Sequence, residues 1–249
     1  MKILAHRGIH HDVAENSLNA FKAVKNVPVQ GVELDVRLTK DGIVIVFHDD
    51  NLKRLFGKEE KIADLSHDQI NNIASQNNVI IPSLKEVFDL LLEDSLINVE
   101  IKEPEVVFPL IDLLKTGGYQ QQNLIFSSFI HNTLPPIQDT FQSANIGLLI
   151  GNEAENTANP MDYILSSLLK YQPYSLHLPI QAFEKFVPHM LVKSLSQMKE
   201  KTNVQYAWWT VNTVSELAPL VQHPNITDFI ITDNPEMVID SLNNGSIND

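Results

Sequence analysis

The chain has 249 residues, 43% of them hydrophobic and 20% charged. That is ordinary for a soluble globular protein, and it is enough chain for one β/α barrel, which typically needs ~250 residues. A balance of 18 basic against 31 acidic residues, net -13, repels nucleic acid and anionic membranes at long range, and the absence of cysteine excludes disulfides, thiolate chemistry and cysteine-ligated zinc. The N-terminus lacks the apolar stretch of a signal peptide, and no apolar run approaches a membrane span. The expected setting is cytoplasmic, with no nucleic-acid partner and no integral membrane contact.

Short apolar strand candidates alternate with helical segments along the chain. They are Ile3–His6, Val32–Leu38, Ile43–His48, Ile97–Ile101, Asn123–Ser128, Ile146–Ile150, Ser175–Leu178, Val204–Thr210 and Phe229–Thr232. Several are nearly continuous apolar runs, as in strands covered on both faces. Asn16 or Ser17 can cap a helix whose inner face is Leu18, Phe21 and Val24. Ser66 with Gln69, Ser83 with Glu86, and Thr213 with Glu216 fit capping boxes. The segment Pro104–Lys115 is closed by Gly117-Gly118, and Pro235 suits the first turn of a last helix.

Alternation of this kind implies a parallel barrel or a doubly wound sheet. The glycine-rich phosphate loops of doubly wound folds are missing, so an eight-stranded TIM-type (β/α)8 barrel is expected. The ninth strand has a local explanation. Only Thr39-Lys40-Asp41-Gly42 separates the second candidate from the third, too few residues for a parallel crossover but enough for a hairpin. Ile43–His48 should therefore run antiparallel to Val32–Leu38, beside or within the barrel wall. Residues 1–249 read as a single domain, with a short insertion at about 51–82 that holds one extra helix near Ser66–Ser75.

The hairpin also carries chemistry. Glu33 and Asp35 share a strand face. A four-residue loop sets Glu33 opposite His48, and a two-residue loop sets Asp35 there. A three-residue loop does neither unless a bulge corrects it. Acids in an arbitrary strand more often meet solvent or a salt bridge. Here the nearby His48 and a third charged interruption, Glu100 beside Lys102, favour a divalent cation. Three carboxylates suit Mg²⁺ or Ca²⁺. His6 ends the first strand, where barrels place reactive groups. Arg7 follows as a phosphate-matched fork or an anchor for an acid, and Gly8 permits close approach.

Taken together, His6-Arg7-Gly8, Glu15-Asn16-Ser17, Glu33-Leu34-Asp35, Thr39-Lys40-Asp41-Gly42 and His48-Asp49 with Leu52 and Arg54 resemble the glycerophosphodiester phosphodiesterase family. Further matches are Ile81-Pro82-Ser83-Leu84, Glu100-Ile101-Lys102, Ser128-Phe129, Trp209-Thr210-Val211-Asn212 and Thr232-Asp233-Asn234-Pro235. Ala14 and Ser17 depart from the family's usual proline and threonine. The resemblance implies that His6 and His48 are the acid/base pair and that Glu33, Asp35 and Glu100 ligate one metal. It also implies that Arg7 and Lys102 contact phosphate and that Glu15 borders the pocket. Phe129 and Trp209 would wall the glycerol or leaving-group side, or simply pack in the core. Asn212 is expected to be a turn or cap residue, His10 and His11 to be solvent-exposed or in touch with substrate, and His67, His131, His177, His189 and His223 to be structural or on the surface.

The expected reaction is metal-dependent hydrolysis of a small glycerophosphodiester to glycerol 3-phosphate and an alcohol. Rival readings are a phospholipase C- or D-like activity on lipids, and a protein that binds phosphodiesters without cleaving them. A homodimer is compatible with the sequence. A zinc amidohydrolase is disfavoured because its His-x-His on the first strand is missing.

Overall fold

The structure, a computed structural model, describes residues 1–151, 154 and 156–244. All nine strand candidates form: β1 Lys2–His6, β2 Gly31–Leu38, β3 Val44–Val46, β4 Leu96–Ile101, β5 Leu124–Ser128, β6 Asn145–Leu149, β7 Ser175–Pro179, β8 Gln205–Trp209 and β9 Phe229–Thr232. Eight of them pair in parallel around a closed ring, because β1 bonds to both β2 and β9. The expected TIM-type barrel is therefore present, with β3 attached outside it and antiparallel to β2. Among the described residues, no helix is long and apolar enough to cross a membrane.

Strand alternation builds two apolar layers. Val32, Leu34 and Val36 of β2 face outward and pack with Phe21, Val24, Leu84, Val87 and Phe88 of the surrounding helices. Leu4, Ile125, Ala207, Phe229 and Ile231 form a separate cluster from β1, β5, β8 and β9 that fills the barrel interior. The helices are pinned where the sequence marks them. Ser17 caps Leu18–Val24, and Ser66, Ser83 and Thr213 each make both halves of a capping box. Gly118, at φ +66°, ends the helix Val107–Gly117. Residues 51–82 contribute the helices Lys53–Phe56 and His67–Ala74, and Leu52, Ile62, Ile70, Ala74 and Ile81 pack on Ile45 and Phe47 in a small core of their own.

Of the registers left open by the sequence, the hairpin takes that of the three-residue loop, which by itself sets neither acid opposite His48. The pairs are Val36 with Val46, Arg37 with Ile45, and Leu38 with Val44. The Thr39 N–H donates to the Ile43 carbonyl at 3.0 Å, so the loop is the three-residue Lys40-Asp41-Gly42. Gly42 supplies the left-handed position of that loop at φ +79°. Continued regularly, this register would set His48 opposite Leu34, on the outer face. Instead the ladder ends early. The Phe47 N–H donates to the Asp35 carbonyl at 2.9 Å, and Arg37 Nε donates to the His48 carbonyl at 2.8 Å. His48 leaves the strand and lines the mouth.

β2 is longer than β1, and this difference makes room for β3. The Arg7 N–H donates to the Glu33 carbonyl, whereas the next carbonyl on the same edge, that of Asp35, is taken by Phe47 of the hairpin. Gly31 sits at the tightest point of the β2–β4 pairing, where an added Cβ would lie 1.9 Å from the Leu96 carbonyl oxygen. Gly31→Ala should cost about 1–3 kcal/mol through overpacking, read as a lowered midpoint of thermal unfolding. An unchanged midpoint would contradict this account of the pairing.

Candidate active site

Glu33 and Asp35 on β2 and Glu100 on β4 point into the C-terminal mouth of the barrel. The register pairs Asp35 with Glu100 across the two strands. One oxygen from each carboxylate lies within 4.8 Å of the others. Glu33 and Asp35 are buried, and Glu33 Oε2 and Asp35 Oδ1 have no hydrogen-bond donor among the described residues. Two cations offset part of the charge. Lys102 Nζ donates to Glu100 Oε1 at 2.6 Å and stands 3.3 Å from Asp35 Oδ1, and Arg7 Nε stands 3.2 Å from Asp35 Oδ2. Asn16 Nδ2 donates to the same Asp35 oxygen at 2.8 Å.

These surroundings separate the three acids. Burial raises the Glu33 carboxyl well above its usual range, and repulsion from Asp35 and Glu100 adds to the rise. Burial and the Asp35 charge push Glu100 up to about 7. Burial also works against the Asp35 anion, but Arg7 and Lys102 outweigh it and hold that carboxyl below its ordinary value. Three converging oxygen donors, two of them short of partners, fit a hard divalent cation.

The chain reaches this geometry through two strained turns. Arg7 and Asn16 both adopt left-handed backbone, at φ +57° and +55°, in the region that favours glycine. Arg7 thereby turns inward, with Nη1 donating to Glu15 at 2.8 Å. Gly8 lets this turn lie against the first helix, where an added Cβ would meet Ala20 at 2.9 Å. Of the two uses open to Arg7, anchoring an acid is realised, and the side chain also lines the cleft. Glu15 is shared with Arg54 from the helix Lys53–Phe56, whose Nη2 donates to it at 2.6 Å. Arg54 Nε donates to Asp49 at 2.7 Å.

Two histidines flank the acids. His6 Nε2 is 3.7 Å from Glu33 Oε2, and its Nδ1 is 2.6 Å from Asp233 Oδ1. His48 Nδ1 lies 2.6 Å from Asp49 Oδ1. Burial lowers the His48 pKa, and the Asp35 charge offsets this only in part. Phe129 and Trp209 meet edge to face at 5.7 Å on the opposite wall. His6, Arg7, Glu33, His48, Glu100, Lys102, Phe129 and Trp209 all border one cleft of about 120 Å³.

One sequence expectation needs correction. His10 is not simply solvent-exposed. It is half-buried, with Nε2 3.1 Å from the Asp233 oxygen that also meets His6, and this contact raises its pKa. Asn212 lies in the turn before the helix Val214–Gln222, as expected, and in addition its Nδ2 donates to Asp233 Oδ2 at 2.6 Å and its Oδ1 accepts from the Asp233 N–H at 2.9 Å. Asp233 was missed as a site residue, although Asn212 and Asp233 both lie within motifs that carry the resemblance. His11 remains exposed beside Glu236. His131 and His177 are buried in the body of the fold, as expected of structural histidines.

A family model described as the glycerophosphoryl diester phosphodiesterase family matches residues 6–237. A glycerophosphodiester phosphodiesterase of Caldanaerobacter subterraneus subsp. tengcongensis is 30% identical over 256 residues, spanning 98% of each chain. The crystal structure of a glycerophosphodiester phosphodiesterase from Thermotoga maritima has a TM-score of 0.82 at 34% identity and covers 96% of this chain and 97% of that one. An Oleispira antarctica phosphodiesterase, solved in complex with the product sn-glycerol-3-phosphate, shares the fold at a TM-score of 0.79 and 22% identity, over 98% of this chain and 97% of that one. Barrel, mouth and full-length matches together define a phosphodiester hydrolase. More particularly, the chain belongs to the glycerophosphoryl diester phosphodiesterase family.

The raised carboxyls predict a pH signature in protein kept free of divalent cations. A carboxyl whose folded pKa exceeds its unfolded value lends stability that is complete below about 4.5 and lost as pH rises through the folded pKa. For Glu100 that loss centres on about 7. In chelator, the thermal midpoint of the wild-type chain should fall relative to that of a Glu33→Gln/Glu100→Gln variant between pH 5 and pH 8. A difference that does not change with pH would contradict the burial of these anions.

Proposed function

We propose that the cleft hydrolyses small glycerophosphodiesters to glycerol 3-phosphate and an alcohol, with His6 and His48 transferring protons and Glu33, Asp35 and Glu100 holding one divalent cation. The observation that carries this reading is the convergence of three carboxylate oxygens within 4.8 Å, with the His6 imidazole beside them. A bound Mg²⁺ or Ca²⁺ would neutralise charge on a phosphoryl oxygen as the phosphorus becomes five-coordinate.

The protein's own groups do the rest. Arg7 and Lys102 flank the phosphate, and Glu15 holds the guanidinium in place from the border of the pocket. One histidine takes the proton of the nucleophile, which is water, or the glycerol 2-hydroxyl in a first step whose cyclic phosphate a water then opens. The other gives a proton to the departing alkoxide oxygen, so the P–O bond to the alcohol breaks while glycerol keeps the phosphate. Phe129 and Trp209 wall the glycerol or leaving-group side and exclude water from it. Residues 51–82 act as an insertion within a single domain of residues 1–249, bordering the mouth through Arg54.

His6→Ala and His48→Ala should each lower turnover of glycerophosphocholine about 10²–10⁴-fold while leaving thermal unfolding near wild type. Near-normal rates in either variant would refute the two-histidine assignment. Chelator should abolish turnover, and Mg²⁺ or Ca²⁺ should restore it. Full activity in chelator would remove the cation from the account. Hydrolysis of phospholipid vesicles in preference to glycerophosphocholine would favour a phospholipase reading instead.

A further inference from the structure

The proposed chemistry uses both histidines but leaves a question about His6. A free imidazole interconverts between two tautomers, and only one of them presents a bare nitrogen to the cleft. His6 has Nε2 toward Glu33 and Nδ1 toward Asp233. Something must decide which nitrogen carries the proton.

Asp233 follows β9, on the far side of β1 from the metal-site acids of β2. Its carboxylate sits at the centre of a small web. Oδ1 meets His6 Nδ1 at 2.6 Å and His10 Nε2 at 3.1 Å. Oδ2 accepts from Asn212 Nδ2 at 2.6 Å, and the Asp233 backbone N–H donates back to Asn212 Oδ1 at 2.9 Å. Asn212 is fixed in turn, because its Oδ1 also accepts from Thr232 Oγ1 at 3.3 Å and its N–H donates to Glu216 at 2.8 Å. The carboxylate is thus held at both oxygens and through the backbone. Burial works against its charge, but the bonds from His10, His6 and Asn212 keep it ionised. An ionised carboxylate can only accept hydrogen bonds. Each nitrogen that faces it must therefore carry a proton, which leaves Nε2, on the cleft side, as the His6 nitrogen that can offer a lone pair.

We infer that Asp233, braced by Asn212, is the positioning residue for His6: it fixes the imidazole's tautomer and plane so that Nε2 is the nitrogen that exchanges protons during turnover. This inference rests on the proposed role of His6. Asp233 does not itself border the cleft, and its contact with the cleft lining is the His6 imidazole, through which it acts. Changing it should therefore slow the chemical step without weakening substrate binding.

The test is a double-mutant cycle on glycerophosphocholine hydrolysis, measuring kcat and KM for Asp233→Asn, His6→Ala and the double variant. Asp233→Asn keeps the shape but replaces the acceptor with an amide that can donate to His6 Nδ1. It should lower kcat by about 10²-fold or more. KM should stay within about threefold of wild type. In the His6→Ala background the same change should cost almost nothing further. Asn212→Ala, which leaves the carboxylate in place but unbraced, should give a smaller loss of kcat that also vanishes without His6, and it serves as the second variant if Asp233→Asn folds poorly.

Wild-type kcat in Asp233→Asn would overturn the inference, as would a loss expressed mainly in KM. An equal further loss on the His6→Ala background would overturn it too, because Asp233 would then be acting independently. Near-normal turnover in His6→Ala alone is a separate outcome. It would sink the two-histidine reading first and this inference with it.

Discussion

Concentrating anionic charge at the mouth of a barrel is costly, and the rest of the site is arranged around that cost. Glu33 and Asp35 are almost completely buried, with Glu100 directly across the strand pair from Asp35. Taking carboxylates out of water favours their neutral forms unless cations or donors surround them. Arg7 and Lys102 supply two positive charges, and Asn16 supplies one donor. Two charges against three leave a deficit, and the raised carboxyls of Glu33 and Glu100 express it. A hard divalent ion among the three oxygens would reverse that balance. The same reasoning explains why two residues accept left-handed backbone here. Arg7 and Asn16 both turn their side chains onto Asp35, and contacts to a buried anion repay a strain that would otherwise be about 1–3 kcal/mol per residue.

A second constraint is topological. β2 outruns β1, so the edge beyond Arg7 is open to a strand from elsewhere. The hairpin fills it and ends just short of His48. One acid-bearing strand thereby collects both proton-transfer candidates, His6 from its parallel neighbour and His48 from its antiparallel one. Arg37 ties the hairpin's exit to the body of the fold, donating to the His48 carbonyl while its Nη1 pairs with Glu103 at 2.6 Å. On the outside of that exit, Arg54 links Asp49 to Glu15 and so joins the loop after β3 to the loop after β1.

Much of this was legible in the residues, for physical reasons. Strands covered on both faces must be continuously apolar, so a charge inside such a run stands out, as Glu33, Asp35 and Glu100 do. The Asp41-Gly42 pair and the short link fixed the hairpin and its direction. Its register was not legible, because two-, three- and four-residue loops share those signals and differ only in which residue takes the left-handed position. Nor could the sequence show that His48 escapes the ladder. That depends on Arg37 holding a backbone carbonyl, a contact with no periodic signature. Asp233, Asn212 and His10 are separated by up to 223 positions and meet only when the barrel closes β9 onto β1. Their signal was limited to membership in two short motifs.

The central claim is that Glu33, Asp35 and Glu100 hold one hard cation between the two histidines. Anomalous diffraction from a crystal soaked in Mn²⁺, a hard ion of similar ligand preference, tests it most directly. The account predicts a single strong peak bonded to an oxygen of each of the three carboxylates. A mouth without a peak, or a peak seated instead among His6, His10 and Asp233, would contradict it.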